Sequence, residues 1–424
     1  MKILYRRCAA LDIHEKRISV CARMVRGNKV EVEESVFDTF TEDLEQLHAW
    51  LSQRRIRRVA MESTGVYWRP VWNILEATGS YELLLLNPQH VKALPGHKTD
   101  RVDAARIAEL LQYGLVRPSF VPPRPVRELR DLVRQRVHVV RDRNRVSNRI
   151  HRILETANIK VSCVLGKVTT ATFRSILEGL ATTQCTRPEA LALLATNKRV
   201  CSKQEQLRKA LRGCRLTEHF QFLLRDMLAD LDRLTAKLKM LETRISEQMR
   251  PHQELVARLC EIPGVSLITA WTLIAEIGVD MSRFPSAGHL ASWCGLCPGN
   301  NESAGKRHSG RTGKGNCYLR TILVEAAWSA ARITRRRTFF TTLFFRISQR
   351  AGMKKAAVAV AHRILRVIYV MIRDGTRYIE QGADYFDRLH PEKTTRRLLA
   401  RLENLGQTLG FDISISRRVR PEPT

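Results

Sequence analysis

Four acidic residues in the first quarter of the chain have the types and spacing of a metal-dependent phosphodiesterase site. They are Asp12, Glu62, Asp100 and Asp103. The first two each end an apolar, strand-like run, and the last two lie three residues apart on one face of a predicted helix. Mg²⁺ prefers carboxylate oxygens, and two such ions stabilise the attacking and leaving oxygens of a phosphoryl transfer. As a set these acids predict a Mg²⁺ site, although each alone would be read as a surface acid or a helix cap.

The chain as a whole is strongly basic. It has 72 Lys and Arg residues against 42 Asp and Glu, a formal net charge of +30 over 424 residues. Such a charge favours nucleic acid as the partner over a membrane surface. Acids at a polyanion-binding surface would repel the polyanion unless a divalent cation lies between them. The charge therefore agrees with a metal site that acts on DNA or RNA.

Other features of the composition bear on where the protein works. No uninterrupted run of about 18 apolar residues occurs, so we expect no transmembrane helix and no membrane partner. The N-terminal residues lack the apolar segment of a secretory signal, and the 10 cysteines show no disulfide framework. We therefore expect a cytoplasmic, nucleoid-associated protein.

Strands and helices alternate over the region that must position the acids. Apolar residues at every second position predict strands, and apolar residues three and four apart predict helices. The predicted strands cover 9–13, 18–24, 30–37, 58–61 and 82–86, and the predicted helices cover 66–77, 99–113 and a segment that opens at Thr41. This order predicts a mixed α/β sheet in which Asp12 and Glu62 come from neighbouring strands.

After a proline-rich linker at 118–125 the sequence becomes helical. Residues 124–152 hold ten arginines and three acids, which predicts contacts with the DNA or RNA backbone. The helix predicted at 222–249 has leucines at spacings of three, four and seven. It is either a coiled coil or helical hairpin, or an ordinary amphipathic helix. It is also the candidate interface of a dimer or tetramer.

Two further motifs follow in the C-terminal half. The Pro-Gly-Val turn at 263–265 resembles a helix-hairpin-helix, in which Gly264 permits a tight turn and backbone N–H groups hold a DNA phosphate. The loop 295–316 contains six of the 22 glycines; Ser303 and Ser309 are its candidate nucleophiles. The residues predicted to contact nucleic acid are Lys98, Arg101, Arg134, Arg141, Arg145, Gly264, Lys306, Arg311 and Lys314.

These observations divide the chain into four predicted regions. Residues 1–122 form an α/β domain, and residues 123–250 form an arginine-rich helical or coiled-coil region. Residues 251–345 hold the helix-hairpin-helix and the serine loop. Residues 346–424 form a helical extension and a basic tail. The predicted fold class is thus α/β followed by all-α.

Taken together, the motifs resemble the bacterial insertion-sequence transposases that pair an N-terminal DEDD domain with a C-terminal serine domain, a family that includes bridge-RNA-guided recombinases. The stretches that carry the resemblance are ALDIHEK (10–16), AMESTGVYW (60–68), KTDRVDA (98–104), IPGVSLITAWTLIAEIG (262–278) and NNESAGK (300–306). The likeness covers about residues 5–340.

The resemblance implies a RuvC-like, RNase H-type fold for the first domain and a Mg²⁺ site at its four acids. It implies that a serine attacks the DNA phosphodiester and forms a phosphoserine link. The matching stretch here is Glu302-Ser303-Ala304-Gly305-Lys306, which makes Ser303 the expected nucleophile. Glu302 and Ala304 depart from the family pattern of Ser and Gly, so Ser309 stays as the alternative. Some members use a guide RNA, which the arginine-rich helix would suit.

Three functions are compatible with these residues. The leading hypothesis is a transposase or site-specific recombinase that cleaves and joins the DNA of element ends and target. The second is a Holliday-junction-type nuclease that uses the DEDD metal site alone. The third is a DNA- or RNA-binding protein without catalysis, against which the complete set of four acids argues.

Overall fold

The structure is a computed structural model that describes residues 3–27, 29–62, 65–87, 103–166, 168–182, 202–212, 217–299, 301–303, 306–333 and 337–410. Within these ranges, the side chains of residues 103, 301–303, 306–309 and 393 lie outside the description. The chain divides into two compact units, Met1–Pro122 and Pro123–Thr424.

The first unit is a mixed α/β layer structure, as the sequence predicted. Its strands are β1 (Arg7–Ile13), β2 (Arg17–Arg26), β3 (Lys29–Asp38), β4 (Arg58–Glu62), β5 (Glu82–Leu86) and β6 (Pro118–Ser119). Its described helices are α1 (Thr41–Gln53), α2 (Trp68–Ala77) and α3 (Asp103–Gln112). The strands form one sheet in the order β3-β2-β1-β4-β5-β6. β1, β4 and β5 are parallel, whereas β2, β3 and β6 pair antiparallel with their neighbours.

Each face of the central strands packs against helices because residues alternate between the two faces of a sheet. On one face, Leu11 and Met61 join the apolar residues of α1 and α2 in one core. On the other, Ala10 and Ala60 pack against the apolar side of α3. Burial on both faces explains the apolar residues 8–11 of β1 and 59–61 of β4, which directly precede Asp12 and Glu62.

The second unit is mainly helical. Its first group of helices is α4 (Arg124–Thr156), α5 (Val161–Val164), α6 (Ala171–Ala181), α7 (Gln204–Arg212) and α8 (Glu218–Gln248). The next is α9 (Gln253–Cys260), α10 (Leu267–Ile277), α11 (Ala287–Trp293), α12 (Cys317–Ala331), α13 (Phe339–Ala351), α14 (Met353–Asp374), α15 (Tyr385–Leu389) and α16 (Pro391–Leu409). Short 3₁₀ turns cover Arg250–His252 and Met281–Arg283, and the strands β7 (Asn301–Ser303) and β8 (Lys306–Ser309) form a hairpin between α11 and α12.

The long helices α4 and α8 pack against each other and run in opposite directions. Val139, at the middle of α4, lies in one cluster with Leu238 and Leu241, late in α8. Ile150, near the end of α4, shares a second cluster with Leu224, near the start of α8. The regularly spaced leucines of α8 are therefore buried within the same chain as one side of a helical hairpin. The apolar face of α8 thus packs within the chain, and the helix as an oligomer interface stays a prediction.

Among the described residues, no helix is both long and apolar enough to cross a membrane.

Candidate active site

Two of the four predicted acids lie side by side at one end of the central sheet. β1 and β4 are parallel, with Leu11 opposite Met61, so Asp12 and Glu62 occupy the next position on each strand. Adjacent strands are about 4.8 Å apart. Leu11 and Met61 face the α1/α2 side, and alternation therefore directs both acids to the α3 side. Asp12 is 8% exposed, and Glu62 is half-buried.

Helix α3 brings its first residue to the same end of the sheet. Near its C-terminus, the carbonyl of Gln112 accepts hydrogen bonds from the backbone N–H groups of Leu4 and Tyr5 at 3.0 and 3.1 Å. One turn earlier, the Cys8 thiol donates to the Ala108 carbonyl at 3.6 Å. The helix therefore runs antiparallel to β1. About one turn further toward its N-terminus, Asp103 lies at the end of the sheet that carries Asp12.

The remaining residues predicted near this site lie outside the described residues. They are Lys98, Asp100 and Arg101, while Asp103 is described by its backbone alone. The structure thus brings together two acids and the start of the helix that holds a third. No group of three or more His, Cys, Asp or Glu side chains that could hold a metal occurs within the described part of the chain.

His14 belongs to this end of the sheet and was missed in the sequence. Its Nε2 lies 3.2 Å from Oδ2 of Asp12, while 65% of the imidazole is exposed. Two residues after Asp12, it lies on the same face of the extended chain, a spacing that would have been the available signal. No Lys or Arg among the described residues forms an ion pair with Asp12.

The serine loop, residues 295–316, contains a β-hairpin. The segments 295–299 and 311–315 lie side by side below the hairpin and are called the stalk. Asn301, Glu302 and Ser303 pair with Ser309, Arg307 and Lys306, which places Ser303 next to the hairpin turn and Ser309 at the far end of the ladder. The sequence predicted a loop here. A polar, glycine-rich composition does not predict strands. The two short strands pair because the two ends of the loop contact each other, which a local sequence pattern does not show.

Glycines permit that pairing in the stalk below the hairpin. Gly295 has φ of +74°, and a Cβ atom there would lie 2.9 Å from the carbonyl oxygen of Gly313. A Cβ at Gly315 would lie 2.4 Å from the nitrogen of Gly295. The N–H of Gly299 donates to the Arg311 carbonyl at 2.8 Å. The two sides of the stalk are therefore in backbone contact, which only glycine allows.

A buried carboxylate joins the arginine-rich helix α4 to the end of this stalk. Glu276, on α10, is fully buried. Arg134 donates from Nε and Nη2 to its two carboxylate oxygens, each at 2.8 Å, and Asn316 donates from Nδ2 at 2.6 Å. Arg130 donates to the backbone carbonyls of Ala275 and Glu276 at 3.1 and 2.7 Å. We call Arg130, Arg134, Glu276 and Asn316 the Glu276 cluster.

The Glu276 cluster fixes the start of α12 as well as α4. Asn316 is the N-cap of α12, since its Oδ1 accepts from the N–H of Leu319 at 3.0 Å. Burial by itself lowers the pKa of Arg134, but the hydrogen bonds and charge of Glu276 outweigh it and raise that pKa. Arg134 thus stays charged and binds Glu276 within the unit, and its contact with nucleic acid stays a prediction.

The other predicted nucleic-acid contacts differ in their surroundings. Arg141 and Arg145 are exposed on α4, and Arg145 pairs with Asp142 at 2.8 Å. Arg311 and Lys314 are exposed on the returning side of the stalk. Lys306 begins β8, and its side chain lies outside the description.

The Pro-Gly-Val turn connects α9 to α10, with Ser266 as the N-cap of α10. Gly264 has φ of +89°, and a Cβ there would lie 2.2 Å from the carbonyl oxygen of Ala326 on α12. The glycine is therefore required for close packing of the turn on α12. This packing is a sufficient reason for glycine at position 264, without any contact to DNA. The backbone N–H groups at the start of α10 stay the predicted ligands of a DNA phosphate.

Comparison with known proteins identifies the family. Residues 9–159 match the DEDD transposase profile of the IS110 group, described as "Transposase", and residues 256–341 match the "Transposase IS116/IS110/IS902 family". The chain carries both transposase domains of the IS110 family. The DEDD match contains Asp12, Glu62, Asp100 and Asp103, and the second match contains the hairpin with Ser303. The transposase family predicted from the motifs is thus confirmed at the level of the IS110 group, while the serine character of the C-terminal domain and the use of a guide RNA stay predictions.

Similar proteins bear related names. The y4qE protein of Sinorhizobium fredii strain NGR234, named for an inferred transposase role, is 27% identical over 266 residues, covering 61% of this chain and 55% of its own length. The y4pF/y4sB protein of the same strain, named in the same way, is 28% identical over 45% of this chain and 56% of its own length. The uncharacterized 43.6 kDa protein of insertion element IS110 from Streptomyces coelicolor is 32% identical over 32% of this chain and 33% of its own. This IS110-family chain spans about half the length of the first two relatives.

Proposed function

We propose that this IS110-family chain is the transposase of an insertion sequence, which cleaves and rejoins DNA at the ends of its element and at a target. The two domain matches support this reaction class. The observation that carries the proposal is the parallel register of β1 and β4, because it sets Asp12 beside Glu62 at the end of the sheet where α3 begins. Paired acids on a chain of net charge +30 suit a site that handles a phosphate backbone.

The residues at this end of the sheet fit a hard divalent cation. Asp12 and Glu62 supply carboxylate oxygens at neighbouring positions, and Asp103 begins the helix that reaches the same end. We propose that these three residues and Asp100 hold the ion, which we expect to be Mg²⁺. When bound, the ion would neutralise charge on the phosphate and assist the leaving oxygen.

Ser303 is the proposed nucleophile. Its Oγ attacks the phosphorus, a P–Oγ bond forms, and the bond from phosphorus to one deoxyribose oxygen breaks. The serine proton passes to that oxygen, which leaves as a hydroxyl. The hydroxyl of a second DNA end then attacks the phosphoserine and restores the serine, so the exchange needs no external energy source. A bare serine hydroxyl reacts poorly, which is why the metal-binding acids belong to the same reaction.

We also propose a homo-oligomer, because exchange between several DNA ends requires several nucleophiles at once. A guide RNA is a second proposed partner for the arginine-rich helix α4, since its exposed arginines suit the backbone of RNA as well as that of DNA.

The proposal is tested with a donor plasmid that carries the gene together with its natural flanking DNA. The purified full chain should excise or join the element ends in the presence of Mg²⁺, and chelation by EDTA should remove the activity. The products are sequenced across the junctions. Cleavage of four-way junctions without any joining would favour a junction nuclease, and no change in the DNA under any of these conditions would overturn the proposal.

A further inference from the structure

We propose that His138, Arg141 and Tyr318 form a binding subsite for a DNA phosphodiester beside the stalk of the serine hairpin. The inference rests on the proposed DNA reaction and deepens it by naming where one strand is held. The three side chains lie within the second unit, His138 and Arg141 on α4 and Tyr318 in the first turn of α12.

The subsite has a rigid base. The guanidinium carbon of Arg134 lies 4.7 Å from the centre of the Tyr318 ring. Arg134 is itself fixed by two hydrogen bonds to the fully buried Glu276. A cation over an aromatic face is attracted by the ring quadrupole, so the Glu276 cluster holds the tyrosine ring in one position. The same cluster caps α12 through Asn316.

The hydroxyl of Tyr318 is oriented by a histidine. It lies 3.0 Å from Nε2 of His138, and the two rings meet edge to face at 76° with centroids 6.1 Å apart. His138 is exposed. In the tautomer that carries its proton on Nε2, His138 donates to the phenol oxygen, and the phenol proton of Tyr318 can then be donated to a phosphate oxygen.

Arg141 supplies the positive charge that attracts a phosphate to the subsite. It follows His138 by one turn of α4, and its guanidinium carbon lies 5.8 Å from the centre of the Tyr318 ring. Arg136 pairs with Glu242 and Arg145 pairs with Asp142, whereas no carboxylate of the described residues forms an ion pair with Arg141. Its donors are therefore available to an anionic ligand.

The groups around the subsite favour a phosphodiester of DNA as its ligand. Glu276 is buried beneath the subsite and neutralised by Arg130 and Arg134, and Asp142 pairs with Arg145, so neither acid leaves an unpaired negative charge that would repel an anion. The guanidinium of Arg141 and the hydroxyl of Tyr318 are donors for the phosphate oxygens, and the tyrosine ring is an apolar surface for the adjoining sugar. The subsite adjoins Asn316, the last residue of the loop that contains Ser303, which places it where a DNA strand approaching the hairpin would pass.

The experiment measures binding of the full chain to a fluorescent 40-base-pair DNA duplex in EDTA, by anisotropy at several salt concentrations. Arg141→Ala should weaken binding about fivefold at low salt, and the slope of log K against log salt should fall by about 0.9, the value for one phosphate contact. Arg141→Lys should restore the slope. Tyr318→Phe should weaken binding about twofold with an unchanged slope, because the hydroxyl carries no charge.

The matched control is Arg233→Ala, which also removes one exposed arginine, on α8, where it pairs with Asp230. An equal change of slope in this control, or no change in Arg141→Ala, would overturn the subsite. A single-stranded RNA that shows the Arg141 effect when the DNA does not would overturn the assignment to DNA. The binding experiment in EDTA does not depend on cleavage. If the wild-type chain failed to join DNA in the plasmid experiment, the proposed reaction would be refuted, but the binding result for Arg141 would still stand.

Discussion

Substitution of Asp12 by Asn is expected to reduce DNA cleavage and joining by about 10³-fold or more, which corresponds to about 4 kcal/mol of lost transition-state stabilisation. Asn keeps the shape of the side chain but removes the charge that would hold a divalent cation. Asp12 is nearly buried beside Glu62, and His14 is its hydrogen-bond partner at 3.2 Å. The rate is measured on the donor plasmid at saturating Mg²⁺.

The fold should tolerate this substitution, because two carboxylates at neighbouring strand positions repel each other until a cation binds. We therefore expect an unchanged or slightly higher melting temperature. The control is Glu45→Gln, which makes the same change of charge at an exposed position of α1 and should leave the rate unchanged. Full activity in Asp12→Asn would show that the metal site is elsewhere.

Substitution of Glu276 by Ala is expected to lower the free energy of unfolding of the second unit by about 3–5 kcal/mol. The carboxylate is fully buried and pairs with Arg130 and Arg134, whose side chains are 12% and 29% exposed. Its removal leaves two guanidinium groups without their counter-charge in a region of low water content. It also removes the oxygen to which Asn316 donates. The measurement is denaturant unfolding followed by circular dichroism.

Glu242→Ala provides the comparison for this prediction. Glu242 also pairs with an arginine of α4, Arg136 at 2.7 Å, but 38% of its side chain is exposed. Solvent screens that pair, so we expect a loss of about 1 kcal/mol or less. Equal losses for the two variants would contradict the structural role of the Glu276 cluster.

The elements of the first unit were predictable because local patterns determine them. The strand over 82–86 was predicted with its exact bounds, and β1, β4 and α2 differ from their predicted bounds by one or two residues. A run of apolar residues that ends in an acid also indicated where Asp12 and Glu62 would lie. The mixed sheet is confirmed, while the RuvC-like fold stays an implication of the family.

Contacts between distant residues were not predictable. Glu276 appears in the sequence as one acid in an apolar helix, and its partner Arg134 lies 142 residues away. Nothing local distinguishes Arg134, which is half-buried and bound to that acid, from Arg141, which is exposed on the same helix. The hairpin that carries Ser303 depends likewise on backbone contact between Gly295 and Gly315, across the whole length of the loop.

Mapping of the covalent protein–DNA bond tests the proposed transposase most directly. Trypsin separates the two candidate serines, since Ser303 lies in the peptide 284–306 and Ser309 in the peptide 308–311. After reaction with the donor plasmid and nuclease digestion, mass spectrometry should find a nucleotide on Ser303. The adduct should be absent in Ser303→Ala and present in Ser309→Ala. A nucleotide on the peptide 308–311, or DNA cleavage with no adduct on any peptide, would contradict Ser303 as the nucleophile.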